Sequence, residues 1–118
     1  MDQHEILLVP KREFDENTDC WQTYANSGKF DDFIQWWLTV PENDTLWDIY
    51  RAFNESLDML IDHYEDEELP ADKVDAAINI AEDFREKKTD ELEVEAFDKL
   101  MQALKKAKEL GRPVYFWF

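Results

Sequence analysis

Glycine occurs twice in the 118 residues, histidine twice, cysteine once and proline four times. The two glycines, Gly28 and Gly111, leave no room for a Gly-rich loop that cradles nucleotide phosphates or for the central turn of a calcium-binding loop. A lone thiol, Cys20, cannot staple a secreted domain, and the expected compartment is a reducing cytoplasm. His4 and His63 lie outside Glu-x-x-His and His-x-x-x-His spacing, so no metal site and no cofactor are expected. No apolar run approaches the roughly 20 residues that span a bilayer. The start Met1-Asp2-Gln3-His4-Glu5 carries acids where a signal peptide carries Lys or Arg. Cys20, Ser27 and Ser56 lie in no Gly-x-Ser-x-Gly-type elbow and have no sequence-local base, and the chain is read as a non-enzyme.

Positive charge is the other shortage. Thirteen Lys and Arg stand against 29 Asp and Glu, a formal net charge of -16. Such a field repels a nucleic-acid backbone and an anionic membrane face, which leaves a basic protein as the expected partner. The acidity is uneven: residues 1–72 hold 19 acids and 4 bases, whereas residues 73–118 hold 10 acids and 9 bases. A domain that carries so much self-repulsion in its first part has a use for that field.

Against the charge stand 44% hydrophobic and 14% aromatic residues, enough for a folded core and too short a chain for two of them. One domain, 1–118, is expected. Ile6-Leu7-Leu8-Val9 reads as a strand stopped by Pro10, and Asn26-Ser27-Gly28 as a turn. Phe30, Phe33, Ile34, Trp37 and Leu38 recur at three and four, which predicts a helix over 29–40 ended by Pro41. A second predicted helix starts at Thr45, with Asp48 three residues on. It carries the stripe Leu46, Tyr50, Phe53, Leu57, Leu60, Ile61 and Tyr64. A third covers 71–87 and a fourth opens at Thr89 and stops at Gly111. Val114 to Phe118 has no charge and high β propensity, and needs to be buried on both faces and paired with Ile6 to Val9. The expected fold is α+β, mainly α, with about four helices packed on a small sheet formed by short N-terminal and C-terminal strands.

The outward face of the second predicted helix is acidic, with Asp48, Glu55, Asp58 and Asp62 on it. One acid at a time, such a face is usually the solvated side of a helix; the aggregate points to a partner. Trp36 lies off the stripe that places Trp37 in the core, and Trp47 lies beside Asp44 and Asp48, the composition of an interface anchor. Asp44, Trp47, Asp48, Glu55, Asp58, Asp62 and Trp36 are therefore the candidate partner-binding residues.

The run Glu42-Asn43-Asp44-Thr45-Leu46-Trp47-Asp48 resembles the start of the binding helix in barstar-like ribonuclease inhibitors, with one deletion. Leu104 to Gly111 followed by Val114 to Phe118 is similar to that family's last helix, glycine stop and final strand. The family's Tyr-Gly turn has no counterpart at Thr39-Val40-Pro41, and its middle strand is replaced by the charged stretch Asp62 to Asp72. The resemblance implies that Asp44 and Asp48 contact basic active-site residues of a nuclease and that Trp47 supports them. A looser likeness, in acidity more than sequence, is to bacterial immunity proteins, including those of contact-dependent growth inhibition.

The leading expectation is an immunity protein that occludes the basic substrate channel of a cognate nuclease toxin by charge mimicry. One rival is a phage or plasmid DNA mimic that inhibits a DNA-binding enzyme. It requires acids spread over most of the surface, and the nearly neutral last third weighs against it. A non-catalytic regulatory adaptor is the other.

Overall fold

The computed structural model of the chain describes residues 4–13, 30–61 and 67–118. Four strands and four α-helices are found among them: β1 (His4–Pro10), β2 (Phe33–Thr39), α1 (Val40–Asp44), α2 (Trp47–Leu57), β3 (Glu67–Leu69), α3 (Val74–Glu82), α4 (Glu91–Leu110) and β4 (Val114–Trp117). Single 3-10 turns precede β2, precede α3 and follow it. The fold is α+β and mainly α, with the expected pairing of the terminal strands. The turn at Asn26-Ser27-Gly28, Cys20, and the stretch Asp62 to Asp66 lie outside the described residues.

The sheet is antiparallel throughout, in the order β2-β1-β4-β3. Leu7 pairs with Trp36 on one side and Phe116 on the other, and Ile6 pairs with Trp37 and Trp117. Alternation then sorts the side chains onto two faces. Leu7, Val9, Leu38, Leu69, Val114 and Phe116 enter the main core with Ile49, Tyr50, Phe53, Leu57, Ala77, Ala81, Phe97, Leu100 and Leu104 from the helices. Ile6, Leu8, Phe33 and Tyr115 form a second buried cluster on the opposite face, with Trp117 against it. The C-terminal aromatic run is thus buried from both sides, as its lack of charge and of alternation requires.

The helix predicted over 29–40 is a strand over most of its length. Residues 33–39 alternate: Phe33, Gln35, Trp37 and Thr39 share one face, and Ile34, Trp36 and Leu38 the other. This exchanges the two tryptophans. Trp36 packs against the main core and its indole N–H donates to Gln102 Oε1 at 3.3 Å. Trp37, expected in the core, is 46% exposed, with its N–H donating to Gln35 Oε1 at 3.0 Å.

Pro41 does not stop a helix but starts one. Thr39 is the N-cap of α1, its hydroxyl accepting from Glu42 N–H at 3.2 Å while Thr39 N–H donates to Glu42 Oε1 at 3.0 Å. Proline in the first turn removes an N–H that has no helical partner anyway. The capping box is therefore Thr39-x-x-Glu42, not Thr45-x-x-Asp48. α2 begins at Trp47 and ends at Leu57, well short of Tyr64, and Asp58 turns the chain away with φ 55 and ψ 49. The third predicted helix is shorter than expected, at 74–82. α4 matches expectation: Gly111 takes φ 67 and Arg112 N–H donates to Ala107 O at 2.9 Å. The charged stretch at 67–69 supplies β3, which pairs with β4.

Candidate functional site

The five-residue helix α1 fixes one end of the acidic surface, and it is held by buried polar contacts to three other elements. Asn43 is fully buried; its amide donates to the Glu5 carboxylate of β1, and its oxygen accepts from the Tyr50 hydroxyl of α2 at 2.7 Å. Burial and the Glu5 charge together hold the Tyr50 phenol well above its ordinary pKa of 10.0. Glu42 accepts from Lys99 of α4 at 2.8 Å, and the same ammonium reaches the Trp37 carbonyl at 3.0 Å. Burial alone raises the Glu42 pKa, but the Lys99 and Thr39 hydrogen bonds and the Lys99 charge outweigh it and hold the carboxyl below 4.5. Two of the three polar residues after Pro41 are thus structural, and the third, Asp44, is exposed.

Trp47 is half-buried and stands edge-on to Tyr50, ring centroids 5.4 Å apart at 90°. Tyr50 continues the stack to Phe116 and Phe118, both at 5.7 Å. Asp48 is bound by Lys88: the ammonium donates to both carboxylate oxygens at 2.9 Å and to the Thr45 carbonyl at 2.7 Å. The Lys88 side chain is 3% exposed and that of Asp48 is 42% exposed. Lys88 follows a 3-10 turn and precedes Asp90, the N-cap of α4. Asp48 therefore neutralises a buried cation and ties the start of α2 to the loop before α4, and much of its charge is committed within the molecule. Nothing in the sequence singled out Lys88, since a lysine between Lys87 and Thr89 has no periodic signature of burial.

Glu55 and Asp58 are exposed, Glu55 on the outward face of α2 and Asp58 just past its end. Asp48 and Glu55 are two turns apart on one face, about 10 Å along the axis. Neither Asp44, Glu55 nor Asp58 forms an ion pair among the described residues. Asp62 lies outside those residues. The candidate residues thus divide into a committed set, Asp48 with Trp47 and Trp36 packed beside the core, and an exposed set, Asp44, Glu55 and Asp58.

The near-neutrality of the last third conceals a separation along α4. Residues 82–98 hold eight acids against three bases, and one of those bases is the buried Lys88. Residues 99–118 hold five bases against one acid. In α4, Glu91, Glu93, Glu95 and Asp98 precede every base, and Lys99, Lys105, Lys106 and Lys108 follow. Helix polarity favours this order, with anions toward the N-terminus and cations toward the C-terminus. The acidic surface therefore does not stop at Asp72 but continues over the α3–α4 connection and the first two turns of α4.

Among the described residues no three His, Cys, Asp or Glu side chains gather into a metal-holding group, and no helix is long and apolar enough to cross a membrane. No family model matches the sequence. No curated protein matches it either. By structure, the fold is similar to that of a Neisseria DNA mimic protein, DMP12, with a TM-score of 0.59 and 12% sequence identity, over 98% of this chain and 100% of that one. At that identity the likeness concerns the fold, and it runs the length of both chains.

Proposed function

We propose that this protein is a DNA mimic, which occupies the nucleic-acid-binding surface of a basic protein and so keeps DNA away from it. The observation that carries the reading is the spread of carboxylates from Asp44 through α2 and the α3–α4 connection to Asp98. A duplex presents phosphates along two strands, about one charge per 1.7 Å of axis, so a mimic needs acids on several elements rather than one row. The second half of α4 breaks the acidic field. The full-length likeness of fold to a DNA mimic supports the same reading. The mechanism is electrostatic steering followed by exclusion: opposite fields speed encounter, and the bound protein covers the cationic groups that phosphates would touch.

The toxin-immunity reading draws on the segment Glu42 to Asp48 and uses the same field on a smaller target. The two separate in one experiment. Proteins from the source cell are bound to duplex DNA on cellulose at low salt and challenged with this protein, or with polyglutamate of equal total charge. Release of a specific DNA-binding protein at concentrations where polyglutamate releases nothing is the expected result. No release, or equal release by polyglutamate, overturns the mimic reading. Inhibition of a co-encoded nuclease with no release from DNA would establish immunity instead.

A further inference from the structure

Past α2 the chain enters a short loop fastened at Leu57, Leu60 and Ile61. Lys73 Nζ donates to the Leu57 carbonyl at 2.6 Å, and Leu60 N–H donates to Glu67 Oε2 at 2.7 Å. Asn54 grips Ile61 twice, accepting from its N–H at 2.8 Å and donating to its carbonyl at 3.2 Å. Met59 and Ile61 are buried, whereas the side chain between them, Leu60, is 76% exposed, the highest value for a large hydrophobic among the described residues. A slack loop does not explain this exposure, because the backbone on both sides is tied down.

Local energetics oppose what stands here. Asp58 holds a positive φ that glycine or asparagine adopts more cheaply, and its carboxylate lies at the negative end of the α2 dipole. Leu60 keeps an aliphatic side chain in water. A single exposed leucine is ordinary, but a rigidly presented one, with Asp58 two residues before it and Glu67 hydrogen-bonded to its own N–H, is the arrangement of a preorganised anchor. Residues kept against local preference are where function is expected.

We propose that Leu60 is the apolar anchor with which this protein docks on the DNA-binding face of its basic partner, Asp58 and Glu67 meeting cationic side chains around it. The inference rests on the mimic reading and sharpens it. Charge complementarity selects the occupant: whatever covers Leu60 comes within reach of these carboxylates, and the cation already at this loop, Lys73, is engaged by the Leu57 carbonyl. A second copy of this chain or a nucleic acid would bring further negative charge. Carboxylates alone bind any cationic surface, so an aliphatic anchor that requires a matching pocket supplies selectivity.

The test uses the release of proteins from duplex DNA on cellulose, comparing wild type with Leu60→Ala, Asp58→Asn and, as control, Leu110→Ala at the basic end of α4. Leu60→Ala is expected to need at least about fivefold more protein for half-release, with an unchanged thermal midpoint. Asp58→Asn is expected to raise the thermal midpoint, since asparagine tolerates the left-handed conformation and carries no charge at the helix end, while weakening release about threefold. Leu110→Ala releases as wild type does. Equal release by wild type and Leu60→Ala overturns the anchor and leaves the mimic reading standing; no release by wild type overturns both. Sedimentation of the wild type as a dimer that Leu60→Ala converts to monomer assigns Leu60 to a self-interface and overturns the proposal.

Discussion

Asp48 shows how one carboxylate is read differently once its surroundings are known. Its position beside Trp47 at a helix start marked it as a contact for a basic partner, but the groups it meets are the buried Lys88 ammonium and its own α2 backbone. Removing it leaves Lys88 with the Thr45 carbonyl as its remaining described acceptor. We expect Asp48→Asn to lower unfolding free energy by about 1–3 kcal/mol in urea titration, less than for a fully buried pair because the carboxylate is partly solvated. Asp44→Asn, at an exposed site, should change stability by less than about 0.5 kcal/mol. Equal, negligible effects at both positions would mean that Lys88 finds water as readily as it finds Asp48. The acids themselves were legible in the sequence; which were spoken for was not, because the residue that claims Asp48 is 40 positions away.

Among the elements, β1, β4 and α4 were legible because each carries a local signal that does not depend on its neighbours: an uncharged run beside proline, an uncharged aromatic run, and a long stripe closed by Gly111. The stretch 33–39 was not, because apolar residues at Phe33, Ile34, Trp37 and Leu38 satisfy a helical spacing. A strand buried on one face and partly covered on the other satisfies the same pattern. Thr39-Val40-Pro41-Glu42 holds the deciding signal, a capping box with proline in the first turn, which requires a helix to begin where the apolar spacing predicts that one ends. β3 was missed because Glu67-Glu68-Leu69 has little strand propensity, and its pairing comes from β4.

α1 also gives the clearest acid dependence of any element. Glu42 is held below its ordinary pKa of 4.5, so its contribution to stability is complete above that value and is lost as pH falls through the lower, folded value. Glu42→Gln keeps an acceptor for Thr39 N–H but loses the ion pair with Lys99. The variant should be less stable than wild type by about 2 kcal/mol near neutrality, and the gap should close below about pH 4.5. Calorimetric or urea measurements from pH 7 to pH 3 check this, and a gap independent of pH would assign the loss to packing.

For the whole molecule the dominant quantity is the charge of -16. Repulsion among so many carboxylates opposes the compact state, and added salt screens it over a Debye length of about 10 Å at 0.1 M. Raising sodium chloride from about 20 to 300 mM should increase stability by about 1 kcal/mol, several degrees in thermal midpoint for a domain of this size. A midpoint that falls with salt would show that the Lys88–Asp48 and Lys99–Glu42 pairs outweigh the general repulsion. The same addition should slow association with the proposed basic partner, so that salt would strengthen the fold while weakening that association.

The two central strands of the sheet, β1 and β4, come from opposite ends of the described chain, and the pair Ile6 and Trp117 is joined across more than a hundred residues. During synthesis β1 can find β2 early, but β3 has no neighbour until β4 has left the ribosome, and the helices have no finished floor to settle on. Until β4 is made the growing chain therefore carries uncovered aromatic and aliphatic surface, the condition in which nascent chains associate. Over that interval the 19 acids of residues 1–72 are already present. The charge proposed to meet a partner in the finished protein is also one that makes unfinished copies on a shared message repel one another.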